Sequence, residues 1–235
     1  MVDVSGATIL ITGANGGLGR EFIAQALDLG ARRVYATARS PQPHADARVI
    51  PLRLDVTDQH SIDAAASAAA DTTIIINNAG RPGRTRMLDA SLDEIRDVYE
   101  TNVFAPIAIT KAFAAVLASH GGGALVNVLS VMSWVPRPGT YNSSKSAFWG
   151  VTNSLRLELA EQKTLVLGAH LSFTETAMVA DLDVPKATPQ EIVAAIYEGV
   201  QADAIEVLAD APSRRVRKLL AGDLDQLERA LFDRA

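Results

Sequence analysis

The sequence predicts one doubly wound α/β domain over residues 1–235, with a seven-stranded parallel sheet covered on both faces. Three observations predict it. Short apolar, β-rich runs alternate with longer helical patterns along the whole chain. Those runs are apolar on both faces, as strands buried on two sides must be. No Pro/Gly/Ser-rich linker or repeat divides the 235 residues, and 48% are hydrophobic, enough for one sizeable core.

The elements follow in order. "ATILITG" is the first strand, and the next helix runs through "GREFIAQALDLG", with Gly30 at its C-cap. "RRVYATA" is the second strand, and "ARVIPLRLDV" holds the third. Residues 59–70 are alanine-rich and helical, and "TTIIINNAG" is the fourth strand. "SLDE" opens a long helix as a capping box, Ser91 bonding forward and Glu94 reaching back. Pro106 should bend that helix midway. "ALVNVLS" is the fifth strand, residues 141–162 the following helix, and "TLVLGAHLS" the sixth strand. Thr188, Pro189 and Glu191 start another helix, "AIEVLAD" is the seventh strand, and the tail from Pro212 is helical.

Composition narrows the function classes. A net charge of −5 argues against a nucleic-acid partner, and "SRRVRKLL" reads as the solvated face of a helix. There is no cysteine, which removes disulfides, thiolate nucleophiles and Cys-ligated zinc. His44, His60, His120 and His170 are scattered singly, so no metal site is expected. The N-terminus lacks a signal-peptide pattern, and no uninterrupted apolar run reaches spanning length. A cytoplasmic protein with no membrane partner is expected.

"ITGANGGLGR", residues 11–20, joins the first strand to the first helix. Gly13, Gly17 and Gly19 let the backbone turn sharply, and the helix N-terminus offers free N–H groups to a pyrophosphate. That placement predicts a Rossmann-type dinucleotide site, with Asn15 and Leu18 in the same turn. A free ribose 2′-hydroxyl usually meets an acidic side chain at the end of the second strand. Here "YATARS" has Arg39 and no carboxylate, which suits a 2′-phosphate and so NADP rather than NAD. An ordinary exposed arginine is the bland alternative.

In "GTYNSSKSAF", residues 139–148, Tyr141 stands four residues before Lys145, so a helix would place both on one face.

"TGANGGLG", "NNAG", "TNVFAP", "VNVLS" and "YNSSK" occur in that order, and together they resemble the short-chain dehydrogenase/reductase family from residue 7 to about 178. The resemblance implies an NADPH-dependent carbonyl (ketone) reductase or secondary alcohol dehydrogenase. Tyr141 would be the general acid, Lys145 its partner, Ser130 the carbonyl-polarising hydroxyl, and Asn102 the anchor of a relay water. Asp55 and Val56 match adenine contacts, Asn78, Ala79 and Gly80 the turn beside the ribose, and Thr176 a nicotinamide-amide contact. Lys145 would also hold the ribose hydroxyls.

The implied chemistry is physically coherent. A phenol has a pKa of about 10, about three units above neutrality, or roughly 4 kcal/mol. A unit charge about 4 Å away, at an effective dielectric of about 20, supplies roughly that amount. Lys145 is therefore expected to bring Tyr141 toward neutral pH, with Ser130 stabilising the developing oxyanion.

Each residue also has a structural alternative. Tyr141 could pack beside the sheet, Asn102 could be an exposed helix residue, and Asp55 could do no more than order its loop. Ser133 competes with Ser130 but falls outside the matched motif. Met132, Trp134, Leu171, Ser172 and Phe173 are expected on the substrate wall, although Trp134, Phe148 and Trp149 also read as core or interface aromatics.

Three departures from the family pattern bear on the pocket. The Ser130–Tyr141 loop is a couple of residues short, Leu171 and Ser172 stand where Pro-Gly is common, and 178–188 is a brief lid region. An open pocket for bulky ketones is expected. A homo-oligomer, dimer or tetramer, is expected from the long helices. The rival from another class is a non-catalytic NADP(H)-binding redox sensor, which needs the glycine turn but not the Ser-Tyr-Lys set.

Overall fold

The computed structural model describes residues 2–232. β1 (Thr8–Thr12) leads into α1 (Gly17–Asp28), followed by β2 (Arg33–Ala38), β3 (Val49–Arg53), α2 (Gln59–Ala68) and β4 (Ile74–Asn77). α3 (Leu92–Tyr99) runs through a π turn, Glu100–Phe104, into α4 (Ala105–Ser119) and then β5 (Ala124–Val128). α5 (Thr140–Glu158), β6 (Leu165–His170), α6 (Pro189–Gln201) and β7 (Glu206–Leu208) complete the sheet. α7 (Ala211–Leu219) and α8 (Leu224–Phe232) follow.

All seven strands are parallel, in the order β3-β2-β1-β4-β5-β6-β7. Strand order reverses between β1 and β4, which places a crevice beyond their C-terminal ends. β3 is an edge strand, and there Pro51 costs the ladder little, because its missing N–H can face outward.

Two cores follow from the two-residue period of the strands. Ile9, Ile11, Ile74, Ile76, Val126 and Leu167 point to one face and meet Phe22 of α1 and Ile192, Ile196 and Tyr197 of α6. Leu10, Ile75, Leu125 and Val166 point to the other and meet Ile62 of α2 and Ile109, Phe113 and Leu117 of α4. Phe22 and Tyr197 pack edge to face at 5.7 Å, and the Tyr197 hydroxyl donates to the Phe22 carbonyl at 2.9 Å. Emptying the Phe113 site to alanine would cost about 3–5 kcal/mol.

The expected elements are present with adjusted ends. Both capping boxes form, Ser91 with Glu94 and Thr188 with Glu191. Gly30 lies one residue beyond the Leu29 C-cap, with φ of +83°, the left-handed conformation that ends a helix. α5 stops at Glu158 rather than 162, because Lys163 takes φ of +62° to turn the chain into β6. The irregularity expected at Pro106 falls just before it, as the π turn, and Pro106 occupies the first turn of α4. Leu92–Ser119 is long and apolar enough to cross a membrane by length and composition. Its Ile109, Phe113 and Leu117 are buried against the sheet, as in a core helix.

The basic stretch on α7 is not simply solvated. Arg214 donates to the Leu208 carbonyl at 3.0 Å, and Arg217 pairs with Glu206 of β7 at 3.0 Å. These contacts staple the helix to the sheet edge.

Candidate active site

A cleft of about 1190 Å³ opens at the C-terminal ends of the strands. That exceeds the usual range for a single small ligand, roughly 300–1,000 Å³, and leaves room for a dinucleotide with a second molecule. Its nucleotide end is formed by Gly13, Asn15, Gly17, Leu18 and Gly19. Gly13 has φ of +66°, and a Cβ on Gly19 would come within 2.3 Å of the Gly13 carbonyl, so the turn admits no side chain there.

The amides at the start of α1 are available to an anion. α2, α3, α6 and α7 each have a side chain bonded to a first-turn amide, whereas the Gly16 N-cap supplies none and the first turn of α1 has no acidic residue. Helix N-terminal amides without partners, facing a cleft, are a ready site for phosphate oxygens. These residues fit the pyrophosphate of a dinucleotide.

Polar side chains hold the turn in place. Asn15 Nδ2 donates to the Ser40 carbonyl at 2.9 Å, and Asn78 Nδ2 donates to the carbonyls of Thr12 at 2.8 Å and Gly13 at 3.2 Å. The Thr12 hydroxyl accepts from the amides of Asn78 and Ala79, both at 2.9 Å. Asn78, Ala79 and Gly80 accordingly line the cleft beside the turn.

Arg39, Asp55 and Val56 line the same end. Asp55 accepts from the Thr57 amide at 3.1 Å and hydroxyl at 2.8 Å. Those bonds hold its carboxyl below the usual range, with Arg39 adding a smaller pull. Asp55 thus orders its loop while standing at the cleft. Arg39 is exposed and makes no hydrogen bond or ion pair among the described residues.

Ser130, Tyr141 and Lys145 meet on the opposite wall. Ser130 follows β5, and the other two share a face of α5. Burial pushes the Tyr141 phenol up to about 12, and a hydrogen bond with Ser130 pulls the other way. Burial pushes the Lys145 ammonium down to about 8. Its Nζ donates to the Val128 carbonyl at 2.8 Å and lies 5.8 Å from the Tyr141 ring centroid. Burial is thus the larger of the two influences on the phenol, and the ammonium bonds the main chain.

Asn102 does not line the cleft. It is buried in the π turn, where Oδ1 accepts from the Arg81 amide at 2.8 Å and Nδ2 donates to the Arg81 carbonyl at 2.9 Å and the Ser144 hydroxyl at 3.0 Å. Its side chain ties the loop after β4 to α5.

Thr176, expected as a nicotinamide-amide contact, lines the cleft beside the glycine turn, its Cγ2 3.0 Å from where a Cβ on Gly17 would stand. Met132, Leu171, Ser172 and Phe173 line the substrate end. Trp134 does not. It is 8% exposed, packs with Val131, Val135 and Val216, and stacks on His170 with centroids 3.7 Å apart. The 3₁₀ turn Val131–Ser133 turns the indole behind the wall, away from the cleft.

Met178, Val179 and Leu182 also face the cleft, beyond the reach of motif spacing. Their loop is tied at its base by the Phe173 and Ala187 main chains and at its tip by Arg84. The Arg84 guanidinium grips both oxygens of Asp181 and donates to the Met178 carbonyl at 2.6 Å. Only the folded chain brings residue 84 to residue 181.

The profile of the short chain dehydrogenase family matches residues 7–186, which include the glycine turn and all three wall residues. The chain belongs to the short-chain dehydrogenase/reductase family. This short-chain dehydrogenase is 33% identical over 211 residues to the short-chain dehydrogenase cctT of Talaromyces islandicus, covering 81% of this chain and 73% of that protein. It is 32% identical over 193 residues to an NADP-dependent 3-hydroxy acid dehydrogenase of Schizosaccharomyces pombe, covering 75% and 74%. A solved short chain dehydrogenase from Burkholderia cenocepacia, in complex with NADP, superposes with a TM-score of 0.92 at 31% identity, over 98% of this chain and 99% of that one. The protein is an oxidoreductase of this fold.

Proposed function

We propose that the protein is an NADPH-dependent reductase of ketones, working in reverse as a secondary alcohol dehydrogenase, and that its 235 residues act as one domain. The observation that carries this reading is the meeting of the Ser130 and Tyr141 hydroxyls beside Lys145, opposite the glycine turn. Two hydroxyls that converge on one point can both donate to a single carbonyl oxygen.

NADP(H) is the cofactor. The uncapped amides of α1 suit its pyrophosphate, and Arg39, at a strand end without a carboxylate, suits its 2′-phosphate. When bound, the reduced nicotinamide supplies a hydride to the carbonyl carbon. Ser130 and Tyr141 then hold the oxygen as charge grows on it. Tyr141 gives up its proton, and at neutral pH a phenol with its pKa near 12 keeps that proton until a stronger base, the nascent alkoxide, takes it. The Lys145 ammonium stands behind the phenol to steady the phenolate left behind. The Asn102 main chain, in the π turn beside α5, is the site assigned to a water that returns the proton.

Met132, Leu171, Phe173, Met178 and Val179 make the substrate wall mainly apolar, which fits a small-molecule ketone with a hydrophobic substituent. Phe104 and Leu157 are exposed apolar side chains on the long helices, consistent with a homo-oligomer that sedimentation would measure. NADPH is made and kept inside cells, which is the reason for proposing a cytoplasmic enzyme.

The test is NADPH oxidation followed at the reduced-nicotinamide band across ketones of graded size, with Tyr141→Phe as control. Turnover that disappears in the variant supports the reading. Tight NADPH binding with no turnover on any ketone would instead favour a redox sensor.

A further inference from the structure

Ser130 sits just past β5, where the chain enters a 3₁₀ turn. The Leu129 and Val131 amides on either side still bond the Ala169 and Leu171 carbonyls, both at 2.8 Å. The Ser130 carbonyl has no main-chain partner on a neighbouring strand among the described residues. A buried histidine on the neighbouring strand supplies a side-chain partner instead. His170 ends β6, is fully buried, and directs Nδ1 at the Ser130 main-chain carbonyl at 3.1 Å. A carbonyl oxygen only accepts, so Nδ1 carries the proton and Nε2 has a free lone pair in the neutral ring.

The surroundings keep the ring in that orientation. One face of the imidazole stacks on Trp134 at 3.7 Å and 22°, and Trp149 meets it edge-on at 6.5 Å. Nε2 has no hydrogen-bond partner among the described residues. The charged groups nearest the ring are Glu206 of β7, with Oε1 3.8 Å from Nε2, Arg217 of α7, paired with Glu206 at 3.0 Å, and Lys145. Burial pushes the imidazole down to about 4, so it is neutral at pH 7. Even in acid, protonation at Nε2 would leave Nδ1–H in place.

The contact matters because Ser130 has competing partners. Its Oγ accepts from the Met132 amide at 3.1 Å and donates to the Leu171 carbonyl in a long bond of 3.4 Å, an acceptor that competes with Tyr141. The direction of Oγ follows the Ser130 backbone, and among the described residues the Ser130 carbonyl is held only by the Ser133 amide at 2.9 Å and His170.

We propose that His170 is a positioning residue for the reduction, its Nδ1–H clamping the Ser130 carbonyl so that the Ser130 hydroxyl stays turned toward Tyr141. The inference rests on the catalytic reading of Ser130 given above. The clamp touches neither substrate nor cofactor.

The test compares His170→Asn, whose amide nitrogen stands close to the position of Nδ1, with His170→Leu, which fills the space without a donor. The readouts are kcat, KM for a ketone turned over by the native enzyme, and the NADPH Kd. His170→Leu should lower kcat about tenfold or more with the NADPH Kd within about twofold, and His170→Asn should recover most of the loss. Adding His170→Leu to Ser130→Ala should cost little beyond Ser130→Ala alone, since the clamp acts only through that hydroxyl. Native kcat in His170→Leu, equal losses in the two variants, or additive losses in the double variant would each overturn the inference. Native kcat in Ser130→Ala would overturn the reading of the site itself. Should His170→Leu not fold, the nitrogen NMR spectrum of the native protein decides: the Nδ1–H tautomer is required, and the Nε2–H tautomer excludes the clamp.

Discussion

At the nucleotide end of the cleft, Asn15, Thr12 and Asn78 bond to main-chain groups of the β1–α1 turn and its neighbours. At the substrate end, walls are held by contacts between distant residues: Arg84 on Asp181, and His170 beneath Trp134 and behind Ser130. The first end is a stapled loop offering backbone amides to an anion. The second is a set of apolar walls whose positions depend on several elements at once. The difference separates a site built within one local turn from one that needs several distant elements to be packed together.

The largest test of this contrast lies on the catalytic wall. Tyr141→Phe removes only a hydroxyl, so kcat should fall by roughly a thousandfold while the NADPH Kd changes less than about twofold. Parallel loss of NADPH binding would mean that the two ends are not separable.

Lys145 gives the next largest effect, and here the unliganded protein is the subject. Its pKa is about 8 in the folded chain, against the ordinary lysine value of 10.5. From pH 8 to 10.5 the unfolded chain therefore holds more protons, and this group makes stability rise with pH. Below pH 8 the desolvated ammonium is a full cost, up to about 3 kcal/mol. Lys145→Met should thus be inactive yet more stable than the native protein to urea at pH 7, with the advantage shrinking toward pH 10. A destabilised variant at pH 7 would contradict the assigned cost.

Arg39 sharpens the nucleotide side. Arg39→Ala should raise the NADPH Kd about ten- to a hundredfold, the worth of charge-assisted bonds to a phosphate, and leave the weaker NADH binding near its native value. Fluorescence titration with both cofactors measures it, and equal weakening of the two would remove the 2′-phosphate role.

The smallest effect is expected at the Arg84–Asp181 contact, because both side chains are more than half exposed, at 55% and 59%. Arg84→Ala should raise the ketone KM by no more than about two- to threefold and leave kcat unchanged, with the difference fading in high salt. A large drop in kcat would show that this loop orders the catalytic wall as well.

Much of the site is legible in the sequence. Gly13, Gly17 and Gly19 lie within one turn, Ser91 and Glu94 within one helical cap, and Tyr141 and Lys145 within one helical turn. In each case a few neighbouring residues carry the whole geometric requirement. Spacing puts Trp134 on the substrate wall, and the fold does not, because spacing cannot say to which side of a 3₁₀ turn an indole swings. The spacing on α5 places Tyr141 and Lys145 on one face, but two residues on one helix face say nothing of the burial that raises the phenol or of the Val128 carbonyl that takes the ammonium. Asn102 matches its motif, yet its side chain bonds to the Arg81 main chain 21 residues away. No periodicity reports such a contact.

Local order along the chain is sufficient for the parallel sheet, the dinucleotide turn and the pairing of Tyr141 with Lys145, since period, capping and turn chemistry act over a few residues. The walls around the substrate, the orientation of Ser130 and the acidity of its neighbours arise where β5, β6, β7, α5 and α7 converge. Those properties depend on desolvation and on hydrogen bonds between residues tens of positions apart, which exist only once the chain is packed.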